Sequence, residues 1–248
     1  MNHHIQNPLE VITSEMVESL KRAGTATCAN LLLKRGFKNA YLLGLSPINE
    51  EQEAIAGPAY TLRFIPARED LDNMTNYARN DNLHRRAIEE CPAGSILVID
   101  TYGTTRSAAM GDMMALRLKY REVVGVVTDG GFRDTGEIRK IGLPCYQKES
   151  APPATPISLH PVELNGPIGC AGVAIYPGDF IVGDSEGVVA IPAHLTAEIA
   201  VEAQAVFEYE EFAAAHLKKG RSLFGLFPGT EESQKEFKDW VAAGKPDI

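Results

Sequence analysis

The chain holds few of the residues on which many reactive sites depend. Its four cysteines, Cys28, Cys91, Cys145 and Cys170, are scattered, with no C-x-x-C. That excludes a disulfide framework and a paired-thiol redox centre, and suits reduced, partly buried thiols in a cytosolic protein. The six histidines form no close pair except His3-His4 at the start, so a zinc site is not expected. No apolar run reaches transmembrane length, and Met1-Asn2-His3-His4-Ile5-Gln6 lacks the basic and apolar regions of a signal peptide. Basic charge is in deficit, with 24 Lys and Arg against 33 Asp and Glu, a net −9. A chain this acidic is not expected to bind nucleic acid through its phosphates, and no membrane contact is expected. The sequence has no Walker loop, no GxGxxG, no Ser-His or Cys-His pairing and no internal repeat. Its central stretches offer no lysine suited to a Schiff base.

What is present is clearest from Val123 to Asp134. Val123-Val124-Gly125-Val126-Val127-Thr128 is an uninterrupted β-branched run, as expected of a strand buried on both faces. Asp129-Gly130-Gly131 breaks it with a glycine turn that lets backbone approach backbone. Arg133 and Asp134 follow, then a short helix ending near Gly142-Leu143-Pro144. A cation and an anion thus stand at the carboxyl end of a strand, where open α/β sheets bind ligands.

The rest of the chain reads as further strand and helix segments. Ser14 to Arg22 predicts an amphipathic helix capped by Ser14, and Cys28 to Lys34 a second one closed by Gly36. Strand-like pieces lie on either side of Pro58, and Asn76 to Glu90 reads as one polar helix. Ser95 to Asp100 is a second buried strand, with Asp100 at its end, followed by a loop to Met110 and a helix Met113 to Tyr120. Glu149 to Pro161 reads as loop. Ile168–Ile175, Phe180–Asp184 and Gly187–Ile191 are β segments, punctuated by Pro177-Gly178-Asp179 and Asp184-Ser185-Glu186-Gly187. Leu195 to Lys219 is a long helix, and the tail with Trp240 is apolar enough to pack on the body or on a neighbouring subunit. The expected class is α/β, a single compact domain with a C-terminal helical arm.

Two readings of the candidate residues stand side by side. Asp134-x-x-Glu137 has the form of a capping box, and Asp112 could simply favour the first turn of its helix. Alternatively Asp100, Gly111-Asp112 and Arg133-Asp134 converge in one cleft. Carboxylates and water suit Mg²⁺ or Mn²⁺, and an arginine fork suits a carboxylate or a developing enolate. Amides at a helix start can likewise receive a carboxylate.

Gly94 to Asp100, Gly111-Asp112-Met113-Met114-Ala115, Gly125 to Asp134, and Pro177-Gly178-Asp179 through Asp184-x-x-Gly187-Val188-Val189-x-Ile191-Pro192 together resemble the RraA-like family. The likeness runs from about Thr25 to Glu211. That family includes the 4-hydroxy-4-methyl-2-oxoglutarate/4-carboxy-4-hydroxy-2-oxoadipate aldolases and the regulators of ribonuclease E. The resemblance implies a swivelling β/β/α sandwich, with an extension at residues 1–24, a catalytic domain at 25–194 and a helix and arm at 195–248. It implies a homotrimer or homohexamer with sites between subunits. In the aldolase members Asp134 would ligate a divalent metal, Mg²⁺ or Mn²⁺, and Arg133 would hold the pyruvate unit and its enolate. Asp112 would act through metal-bound water, and the amides of Gly111, Asp112, Met113 and Met114 would hold the carboxylate. A glutamate from the last helix of the adjacent subunit would complete the site, Glu210 by spacing from Pro192, with Glu211 its rival. The implied reaction is metal-dependent cleavage of a 4-hydroxy-2-oxo acid to pyruvate, with oxaloacetate decarboxylation beside it. Protein-binding regulation of ribonuclease E, or another oxo-acid or sugar-acid lyase or dehydratase, is the alternative.

Overall fold

A computed structural model describes residues 11–246. Four parallel strands form its centre: β2 (Ile55–Pro66), β3 (Ile96–Asp100), β5 (Gly125–Thr128) and β7 (Cys145–Gln147). β1 (Ser46–Pro47) closes one edge against β7, and β11 (Phe180–Asp184) with β12 (Gly187–Ile191) extends the other beyond β2. Two small pairs complete the β structure. They are β4 (Ala108–Met110) with β6 (Gly131–Phe132), and the hairpin of β9 (Ile168–Cys170) and β10 (Val173–Ile175).

The period of two along each strand assigns side chains to separate cores. Leu97 and Ile99 face α3 (Leu83–Glu90), α4 (Asp112–Tyr120) and α5 (Thr135–Ile141), packing with Ile88, Leu118 and Ile138. Ile96 and Val98 face the other way, onto Ile168, Val173, Ile181 and Val188. The outer side of β11 and β12 packs on α1 (Ser14–Lys34) and α6 (Thr196–Lys218) through Leu20, Leu32, Val182, Val189 and Ile199. One sheet thus curls on itself into a nearly closed, barrel-like core between α3, α4 and α5 on one side and α1 and α6 on the other, the single α/β domain expected.

Several local expectations are corrected. Pro58 does not divide two strands: β2 is continuous and changes partners there, pairing with β11 up to Pro58 and with β3 from Ala59. A proline fits because the Ala59 N–H takes over, donating to the Asp179 carbonyl at 2.7 Å. The helix expected over Asn76–Glu90 is two helices, α2 (Met74–Tyr77) and α3. Asn82 separates them, its side chain accepting from the His84 and Arg85 amides as an N-cap. Part of the expected loop Glu149–Pro161 leads into an unexpected strand, β8 (Leu159–Leu164), which among the described residues pairs with β2 alone. Pro161 is tolerated there because the strand is an edge.

The first helix is capped by Thr13 rather than Ser14 and kinks at Gly24, whose backbone is left-handed at φ 76°. A Cβ at that position would stand 2.8 Å from the Asp184 carboxylate. That carboxylate accepts from the Thr25 N–H at 2.7 Å and the Thr25 hydroxyl at 2.9 Å, so the second half of α1 is capped from the β11–β12 turn. At the other end of the chain, α7 (Glu231–Ala242) folds back on α6, with Phe237 and Trp240 against Tyr209 and Phe212. No helix among the described residues is long and apolar enough to cross a membrane.

Candidate active site

The site begins where β5 ends. After Thr128 the chain turns through Asp129 and Gly130 into β6, which runs parallel to β4. Gly131 admits no side chain, since a Cβ would lie 2.2 Å from the Glu149 carbonyl oxygen and 2.9 Å from the Ala151 Cβ. Gly131→Ala should therefore cost ~1–3 kcal/mol or more, as overpacking does. Gly136→Ala is the matched control. It lies in α5 with no atom within 4 Å of an added Cβ. It should stabilise by about 0.5–1 kcal/mol, and thermal denaturation of the two variants should show opposite signs.

Pairing of β6 with β4 brings two segments together. The Arg133 N–H donates to the Met110 carbonyl at 3.0 Å, which sets Gly111 against Arg133 and Asp134. A Cβ on Gly111 would be 2.9 Å from Arg133 Nε and 3.0 Å from Asp134 Oδ2. α4 starts here, and Gly111 at its N-cap supplies no side-chain acceptor. Only the Asp112 carboxylate reaches back, accepting from the Met113 N–H at 2.8 Å. The helix start thus presents polar hydrogens beside a guanidinium, an arrangement suited to an anion.

The side chain of Asp134 does not cap the helix it precedes, although the residue occupies the N-cap position of α5. Its backbone is left-handed, φ 55° and ψ 33°, which aspartate tolerates better than most residues. That conformation turns the carboxylate away from its own helix and towards Arg133, Oδ2 lying 3.1 Å from Nε. Glu137, the other half of the expected capping box, pairs instead with Lys140 at 2.7 Å. Both Arg133 and Asp134 remain near half exposure, at 45% and 40% of their side-chain surface.

Arg133 and the start of α4 border a cavity of about 190 Å³ lined by Tyr77, Gly111, Asp112, Met113, Arg133 and Thr155, among others; Asp134, behind Arg133, does not line it. Met114 also lines it, and the Tyr77 hydroxyl lies 4.0 Å from the Met114 sulfur. Tyr77 and Thr155 carry no motif in the sequence, being hidden in an expected helix and an expected loop. Burial raises the Tyr77 phenol above its usual range, with Thr155 and the charge of Arg133 opposing.

Asp100 is not part of this cleft. Its carboxylate accepts from the Tyr102 N–H at 2.8 Å and the Gly169 N–H at 3.3 Å, and burial raises its pKa. The loop after β3 explains the separation. It folds over Asp129, whose carboxylate accepts from the Thr101, Gly103 and Ala171 amides. Glu210 lies exposed on α6 and Glu211 is 4.0 Å from Lys245; neither lines the cavity within one chain. Among the described residues no three His, Cys, Asp or Glu side chains cluster as a ready metal cage. Asp134, whose Oδ2 lies beside Gly111, and Asp112, in the first turn of α4, are carboxylates of the kind taken by a hard cation that keeps several waters.

A sequence model of the RraA-like family, described as Aldolase/RraA, matches residues 25–190. An uncharacterised protein of Methanocaldococcus jannaschii is 31% identical over 186 residues, which cover 73% of this chain and 82% of that protein. The 4-hydroxy-4-methyl-2-oxoglutarate aldolase of Thermus thermophilus is 31% identical over 110 residues, 44% of this chain and just under two thirds, 66%, of the aldolase. Among solved structures, an unusual member of the RNase ES inhibitor RraA protein family from Streptomyces coelicolor superposes with a TM-score of 0.72 and 31% identity. The superposition covers 84% of this chain and 99% of that one. Every residue of the cavity falls inside the matched stretch, and the chain belongs to the RraA-like family.

Proposed function

We propose that the protein is a divalent-metal-dependent lyase that cleaves 4-hydroxy-2-oxo acids to pyruvate and a second carbonyl compound, with oxaloacetate decarboxylation as a companion activity. The observation that carries this reading is the Asp134 carboxylate, turned out of its helix and held beside Arg133 and the α4 N-terminus. The aldolase name of the Thermus thermophilus relative supports the same reaction class.

In the reaction the C3–C4 bond breaks and its electron pair passes to the pyruvate half as an enolate. The C4 hydroxyl loses its proton as C4 becomes a carbonyl, and C3 takes up a proton to give pyruvate. Arg133 holds the 2-oxo-acid carboxylate together with the first-turn amides of α4, and its fixed charge stabilises the enolate. Asp112 accepts the C4 hydroxyl proton, directly or across one water, and a proton returns to C3 by the same route. Asp134 would hold Mg²⁺ or Mn²⁺, which when bound supplies Lewis-acid polarisation of the 2-oxo group. Glu210 of an adjacent copy would complete the proton route in a trimer or hexamer.

A screen for pyruvate release over 4-hydroxy-2-oxo acids and oxaloacetate tests the reading. Turnover should require Mg²⁺ or Mn²⁺ and cease on adding EDTA. The likeness to the RNase ES inhibitor family favours a second reading, regulation of ribonuclease E by binding. A negative screen with stable capture of ribonuclease E would establish that one instead.

A further inference from the structure

The phenol of Tyr77 faces the Arg133 cavity. Its hydroxyl lies 4.0 Å from the Met114 sulfur, and of the two spaces that the ring borders Met114 lines only this one. Thr155 stands beside the hydroxyl, and the charge of Arg133 acts on it. The ring is held in place from several sides. α2 is capped by the Asn73 side chain, which accepts from the Asn76 N–H at 2.9 Å. Asn76 in turn donates through Nδ2 to the Leu71 carbonyl at 2.8 Å. The fully buried His84 packs against the ring, the two centroids 5.8 Å apart. A phenol supported in this way is positioned before any ligand arrives.

The hydroxyl has a hydrogen to donate and only a poor acceptor for it. Among the described residues its bonded acceptor is the Met114 sulfur, a weak one at the limit of contact distance. Burial holds the phenol above its ordinary range, so the proton stays on oxygen at neutral pH. Most other polar groups of the cavity are donors as well. Arg133 engages Asp134 through Nε and leaves both Nη groups without protein partners among the described residues. The first turn of α4 adds amide hydrogens, and the Asp112 carboxylate, the one acid lining the cavity, accepts that of Met113. Donors converging around a cation in a partly buried space call for an anionic acceptor.

We propose that the Tyr77 hydroxyl donates a hydrogen bond to the anion held by Arg133 and the α4 amides, as a third arm of the binding site. The inference rests on the lyase reading for the identity of that anion, a 2-oxo acid such as pyruvate. Phenylalanine at position 77 keeps the ring against His84 and removes the donor alone. A purely packing role for Tyr77 would be untouched by that change.

The test titrates the full chain with pyruvate in the presence of Mg²⁺, followed by NMR. With carbon-13 at Cζ of its eight tyrosines, the resonance missing from Tyr77→Phe is that of Tyr77. On adding pyruvate this resonance should move downfield, as that of a phenol donating to an anion does. Tyr77→Phe should bind pyruvate about ten- to a hundredfold more weakly, as expected for a lost hydrogen bond to a charged group, with its melting temperature unchanged. If pyruvate binds while the Tyr77 resonance stays in place, or while Tyr77→Phe binds it as tightly, the assignment falls and the lyase reading is untouched. Exchange of the pyruvate methyl protons for deuterium reports on the lyase reading separately. Absence of exchange beside a shifted resonance and a weakened variant overturns that reading and keeps Tyr77 as an anion contact. Failure of the wild type to bind pyruvate at millimolar concentration overturns both.

Discussion

Asp134→Asn is expected to abolish metal-dependent pyruvate release while leaving the fold in place. Asparagine matches aspartate in shape and also tolerates the left-handed backbone found at this position. It makes an equally good N-cap, so even a latent capping role would survive the change. What it removes is the negative charge beside Arg133. Loss of an outer partner of a metal site typically costs 10–100-fold, and loss of the ligand itself should cost at least about 100-fold in turnover and metal affinity. The melting temperature should stay within about 2–4 °C, the shift that 1 kcal/mol produces in a chain of this size. Turnover and metal titration, each beside a thermal melt, make the check. Wild-type turnover in the variant would leave Asp134 with no chemical role.

The second large effect concerns assembly. Glu210→Ala should be inactive though correctly assembled, because Glu210 is exposed on α6. Mixing this variant with Asp134→Asn, itself inactive, should restore activity. Each site would take Asp134 from one chain and Glu210 from the next. In a randomly mixed equimolar ring, about a quarter of sites would hold both intact residues. Mass spectrometry of the mixed oligomers together with pyruvate release reads the outcome. No recovery in verified mixtures would defeat the shared site, and recovery with Glu211→Ala in place of Glu210→Ala would move the assignment by one residue.

How much of this was legible in the sequence follows from which interactions are local. Ser95–Asp100 and the run before Thr128 are buried on both faces, so an unbroken apolar stretch marks them directly. The turns at Asp179 and Asp184 similarly bracket β11 and β12 within the chain itself. β8 was not legible, because its pairing with β2 bridges about a hundred positions and Pro161 argues against a strand locally. Tyr77 was missed since α2 ends there, near the start of what reads as one polar helix. The sharpest failure of local reasoning is Asp134: its sequence spells a capping box, yet its backbone is left-handed just after β6 pairs with β4, and its side chain caps nothing. Asp100 erred in the opposite direction. Its place at a strand end suggested the cleft, but two backbone amides already claim its carboxylate.

The joint at Gly24 has a bearing on how this chain is put together. Because Asp184 supplies the cap, the helical turn that begins at Thr25 does not need the preceding residues to start it. The family match opens at this same residue. The segment Ser14–Ala23 is thus a module set in front of a self-sufficient start, held chiefly by side chains such as the fully buried Leu20, worth about 1.5–3 kcal/mol. The expected consequence is that it opens as a unit while the helix behind it stays wound. Amide exchange should report this as two cooperative blocks meeting at Gly24, with residues before it exchanging earlier than residues 28–34.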